Sequence, residues 1–155
     1  MHRLPTLLIS FALLCAATTT LAADAPNVRT AKRVLLEKMG EGRFDKLDEI
    51  YGPGFVAHGA TDDFTLEEDN ESGKAWRRAF PDLKVIVERT AASGDLVAVH
   101  WRATGTNTVK DAGLPGQGDK ADVQGMTFFR FNKAGRIVEE WSLMDMATLM
   151  TQMGQ

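Results

Sequence analysis

The dominant period of the apolar residues changes at Pro81, and that change limits the fold more than any other feature. Before it, apolar side chains recur every three or four residues; after it, they alternate. The first pattern makes a stripe along a helix and the second makes one face of a strand, so helices come first and a sheet follows. Four strands are legible after Pro81: "LKVIVER", "LVAVHWRATG", "DVQGMTFFRF" and "RIVEEWSL". The turns "AASGD" and "NKAG" and the glycine-rich connection "GTNTVKDAGLPGQGDK" join them. Short turns join antiparallel neighbours, so the expected architecture is an α+β domain with helices packed on one face of an antiparallel sheet.

Upstream of Pro81 the helix signals are local. Asn27 reads as an N-cap, Ala31, Val34, Leu35 and Met39 follow at helical spacing, and Gly40 reads as a stop. A shorter helix through Phe44, Leu47 and Ile50 is expected to end at Gly52-Pro53-Gly54, before a brief strand "FVAH". The segment from Leu66 to Phe80 starts acidic and ends basic and aromatic, which suits the helix dipole. Met144 to Met153 reads as a short closing helix.

Residues 1–22, "MHRLPTLLISFALLCAATTTLA", have a basic start, an apolar run and a small-residue exit, the pattern of a secretory signal peptide. Residues 23–155 then form one domain, and about 133 residues suffice for a single core. The only cysteine, Cys15, lies in the signal, so the mature chain has no disulfide, thiolate nucleophile or cysteine metal site. The net charge is −3, without a basic cluster. That balance argues against nucleic acid or an anionic membrane as partner and fits a small uncharged or amphipathic ligand. Export to a bacterial periplasm is expected, with secretion as the alternative.

Strand parity sorts the side chains. Val97, Val99 and Trp101 share an inward face against Leu96, Ala98, His100 and Arg102. Val123, Gly125, Thr127 and Phe129 oppose Gln124, Met126, Phe128 and Arg130, while Val138, Glu140 and Ser142 oppose Ile137, Glu139 and Trp141. Both sheet faces therefore carry apolar bulk. One face covers the core, and the other is expected to meet a second copy of the chain in a homodimer.

The stretches "FDKLDEIYGPGFVAHGA", "AFPDLKVIVERTAASGDLVAVHWRATGT" and "TFFRFNKAGRIVEEWSLMDMATLMTQMG" resemble the SnoaL-like polyketide cyclase or ester-cyclase family, within the superfamily of nuclear transport factor 2 and ketosteroid isomerase. The resemblance spans nearly all of residues 23–155. It implies a cone-shaped, curved antiparallel or mixed sheet, an α+β barrel wrapped on the N-terminal helices around an apolar pocket. It also implies ring closure by protein acid/base groups, without metal or organic cofactor. Aligned on "FR" and "G-x-I", the family's catalytic His position holds Thr127, its Asp position holds Ser142, and its usual His in "GTH-x-G" is Asn107.

With those positions occupied by groups that do not titrate near neutral pH, Glu140 becomes the candidate base, because it shares the inward face with Thr127 and Ser142. Desolvation in an apolar pocket would raise its pKa into a useful range; the alternative is a rim carboxylate held by Arg or Lys. The resemblance puts His58 toward the pocket, as an orienter of a ligand carbonyl or a partner of Glu140, against the alternative of a structural histidine. Asn107, Thr127 and Ser142 are candidate hydrogen-bonding groups, and Trp101, Phe129, Trp76 and Phe80 are candidate wall or core aromatics. Glu139 has the opposite parity, and Asp145 reads as the cap of the last helix. Met144, Met146, Met150 and Met153 read as a packing face rather than a copper site, so neither metal nor cofactor is expected. Two functions fit: a cofactor-free acid/base catalyst acting on a carbonyl compound, or a non-catalytic periplasmic module that binds a hydrophobic small ligand.

Overall fold

The first helix begins two residues earlier than its apolar pattern suggests. In the computed structural model, which describes residues 25–155, α1 spans Pro26–Arg33 with Ala25 as its N-cap. Pro26 starts it because the first helical position needs no N–H. The segment expected to be a signal peptide, residues 1–22, lies outside the described residues. Beyond Arg33 the chain continues as a π-helical turn, Val34–Gly40, of a kind often found at functional sites.

α2 (Leu47–Ile50) is a single turn. Gly52-Pro53-Gly54 does not stop a helix, as the sequence suggests, but lies within β1 (Tyr51–His58), where the register against β6 shifts between Tyr51 and Val56. A bulge tolerates a proline that has no N–H for the ladder, and Gly54 supplies a φ of 74°. The remaining elements are β2 (Asp63–Phe64), α3 (Leu66–Ala79), β3 (Lys84–Ser93), β4 (Leu96–Asn107), β5 (Asp119–Phe131), β6 (Ile137–Met144) and α4 (Met146–Gln152).

They form one six-stranded sheet in the order β2-β1-β6-β5-β4-β3. Among the described residues only β1 and β6 pair in parallel. Shifts at Val87/Arg89 and Arg130/Phe131 add local bends, and β2 and β3 remain edges, so the sheet is curved but not a closed barrel. α1, the π turn, α3 and α4 pack on one side of it. Among the described residues no helix is long and apolar enough to cross a membrane.

α3 is the best-signalled helix. Thr65 caps it, its hydroxyl accepting from Glu68 N–H while the Glu68 carboxylate accepts from Thr65 N–H, and the charges run from Glu67, Glu68 and Asp69 to Arg77 and Arg78. In the sheet, alternation along β4 and β5 puts Val97, Val99, Trp101, Val123, Thr127 and Phe129 inside. Trp101 crosses directly over Gly125, where a Cβ would lie 2.1 Å from the indole ring. Only glycine lets that ring lie flat against β5. Parity fails once: the bulge in β6 turns Ile137 into the core opposite Phe131, although Glu139 beside it faces outward opposite Arg130.

Candidate active site

Between the helices and the inner sheet face lies a cavity of about 350 Å³ with a largely apolar lining. Trp76 of α3 and Phe80, the C-cap of that helix, stack at 5.9 Å to form one wall, with Trp101 among the residues that line the cavity with them. The π turn contributes Val34, Leu35 and Met39. Thr104 of β4 is one polar lining group, and the others gather around Glu140. There Thr127, Ser142 and Glu140 meet Asp69 and Ser72 of α3.

A chain of hydrogen bonds orders that group. Trp101 Nε1–H donates to Thr127 Oγ1 at 3.0 Å, Thr127 Oγ1 lies 2.8 Å from Ser142 Oγ, and Ser142 donates to Glu140 Oε1 at 3.0 Å. An indole only donates and an ionised carboxylate only accepts, so the hydroxyl protons point from Thr127 to Ser142 to Glu140. The other carboxylate oxygen, Glu140 Oε2, is shielded from solvent and has no hydrogen-bond partner. Loss of solvent around this carboxylate, reinforced by the charge of Asp69, pushes its pKa from 4.5 up to about 7; Lys38 and the Ser142 bond oppose the rise.

Lys38, Tyr51 and Asp69 form a second polar group that sequence reasoning missed. Lys38 is 2% exposed, and its Nζ donates to Asp69 Oδ2 at 2.6 Å and to the Tyr51 hydroxyl oxygen at 2.9 Å. Burial first, then the charges of Glu140 and Asp69, hold the Tyr51 phenol well above its ordinary pKa, so it stays neutral. One signal was available: Lys38 stands four residues after Val34, on the apolar stripe of its helix, where a charge needs a buried partner.

Of the sequence-derived site residues, Glu140, Ser142, Thr127, Trp101, Trp76 and Phe80 come together around the cavity. His58 does not join them as a partner of Glu140. Its ring stacks on Trp141 at 4.6 Å, Nδ1 bonds Asp63 at 2.8 Å, and Nε2 is 3.6 Å from Glu139. The register of β1 against β6 pairs Ala57 with Glu140 and His58 with Trp141, so the imidazole is held by Trp141, Asp63 and Glu139 and makes no bond to Glu140. Asn107 is likewise no ligand group: its amide donates to Ala79 O and Val109 O and accepts from Gly116 N–H, which pins the glycine-rich connection to the end of α3. Phe129 is fully buried in the core, away from the cavity lining. Glu139 pairs with Arg130, and Asp145 caps α4 through Thr148 N–H at 3.0 Å.

The sequence pattern of the SnoaL-like polyketide cyclase family matches residues 29–153. This chain belongs to that family. A candidate SnoaL-like polyketide cyclase from Jannaschia sp. CCS1 superposes with a TM-score of 0.75 at 29% identity, over 83% of this chain and 91% of its own. IdmH, a candidate polyketide cyclase from Streptomyces antibioticus, gives 0.71 at 26% identity over 83% and 99%. AclR, a candidate hydroxylase from Streptomyces galilaeus, gives 0.73 at 20% identity over 83% and 95%, a likeness of fold alone. Comparison with curated protein sequences found no match.

Proposed function

We propose that this chain binds a small carbonyl-bearing molecule in the apolar cavity and acts on it by cofactor-free acid/base chemistry at Glu140. The supporting observation is a carboxylate on the cavity wall, half ionised near neutral pH, with one oxygen fixed by Ser142 and the other, Oε2, unpaired. In the step we envisage, Glu140 removes a proton from the carbon beside the carbonyl, and the C–H electron pair forms an enolate. The enolate carbon then attacks a second carbonyl of the same molecule, and protonated Glu140 returns its proton to the resulting alkoxide. Atoms and charge balance without an outside reactant. Thr127 and Ser142 are positioning residues in this scheme, because their hydroxyls hold the carboxylate rather than the substrate.

The test uses deuterium incorporation beside the carbonyl of a panel of aryl ketones, followed by NMR. Exchange should accelerate as pH rises through about 7, since a base must be ionised to act, and should vanish in Glu140→Gln while ketone binding persists. Equal exchange in the variant would overturn the proposal. Binding without exchange at any pH would leave the second reading, a binding module, which is supported by hydroxyls at Thr127 and Ser142 where the cyclases keep titratable groups. The signal-like residues 1–22 support export to the periplasm or beyond the cell, and the exposed apolar outer face of the sheet supports a homodimer.

A further inference from the structure

The apolar cavity does not end at Glu140. A second cavity of about 470 Å³ meets it there, and the two share Asp69, Ser72, Glu140 and Ser142. Its own lining is different in kind: Glu68 and Glu71 of α3, Phe64 of β2 and the edge of His58. Four carboxylates therefore border this compartment, and the pattern of their bonds is regular. Glu68 uses Oε2 in the helix cap, Asp69 uses Oδ2 on Lys38, Glu71 uses Oε1 on Lys74, and Glu140 uses Oε1 on Ser142. Of these four, Glu140 keeps its second oxygen, Oε2, shielded from solvent and without a hydrogen-bond partner, whereas Glu68 and Glu71 are exposed.

The shielded, unpaired Glu140 Oε2 calls for a ligand that brings a donor, and the carboxylates of Glu68, Asp69 and Glu71 around the same compartment favour one that also carries positive charge. A metal ion is a poor match, because among the described residues no three such side chains gather on one point. Acceptors spread along a cleft suit an extended, protonated amine. Phe64, 44% exposed at the same opening, offers an aromatic face to such a cation. The geometry points to an amphipathic amine as the ligand: an apolar body beside Trp76 and Trp101, and an ammonium head among Glu68, Asp69 and Glu71. This inference rests on the reading of the cavity as a ligand site, and not on turnover.

Three matched probes test it, 4-cyclohexylbutylamine and the corresponding alcohol and carboxylate, with the tryptophans of the cavity wall as the fluorescence reporter. At pH 7 and low salt the amine should bind about tenfold more tightly than the alcohol, the carboxylate should bind most weakly, and added salt should shrink the differences. In the Glu68→Gln/Glu71→Gln double variant the amine's advantage should fall to about threefold or less, with the alcohol unchanged as the check on folding. Glutamine at position 68 still completes the helix cap. Equal binding of amine and alcohol, or an undiminished advantage in the double variant, overturns the proposal. If none of the three binds, the cavity reading fails as well, whereas amine preference without ketone exchange sinks only the catalytic reading.

Discussion

A carboxylate stripped of water burdens the fold whenever it is ionised, and Glu140 is such a group. Below pH 4.5 it is neutral in both the folded and the unfolded chain, so it costs nothing. Between pH 4.5 and about 7 only the unfolded chain releases the proton, and stability falls as pH rises until the folded pKa is passed. The loss is about 3 kcal/mol when complete. Glu140→Gln keeps the acceptor for Ser142 and removes the titration. Urea unfolding should find the variant more stable than the parent by about 1–3 kcal/mol at pH 8 and nearly equal to it at pH 4.5. A variant less stable at pH 8 would show that the carboxylate is not desolvated. Glu140, Ser142 and Thr127 were legible in the sequence because alternation alone decides which face they share. His58 was not, because its partners depend on how a bulged β1 registers against a strand about eighty residues away, and no local pattern carries that.

The π turn and α3 meet through one ion pair, Lys38 with Asp69, and that pair sets the electrostatics of the site. The Asp69 charge raises the pKa of Glu140 and the Lys38 charge lowers it, so removing either partner should shift the titration in opposite directions. The carboxyl carbon of Glu140, followed by NMR, should titrate at lower pH in Asp69→Asn and at higher pH in Lys38→Met. Shifts of the same sign would mean that the variants act through repacking. Lys38→Met should also cost about 3 kcal/mol, since it leaves Asp69 without its buried partner. Helices, strands and their order were legible in the periods of the sequence. What escaped were the places where an element departs from its period: the π turn, the bulge inside β1 and the flip at Ile137. Each is fixed by long-range packing, which decides whether a local irregularity is tolerated.

At the scale of the whole molecule, the two sheet faces have unequal partners. The inner face is covered by helices, while the outer face exposes Ile86, Met126, Phe128 and Leu143, the last at 73%. Met126 pairs with Leu143 and Phe128 with Trp141, so these four form an apolar patch across β5 and β6, while Ile86 stands apart on β3 opposite Arg102. Burying a side chain of this size contributes about 1.5–3 kcal/mol, and several together are enough to bring two copies face to face. Arg130, held by Asp95 and Glu139 at the edge of the patch, supplies a polar rim. Analytical ultracentrifugation of residues 23–155 at about 10 µM should therefore give a dimer mass. Phe128→Glu/Leu143→Glu should sediment as a monomer, with the cyclohexylbutanol probe still bound, because the substituted side chains point away from the cavity. A monomer mass for the parent chain at that concentration would mean that this face is not an interface between copies, whatever happens in the cavity on the other side of the sheet.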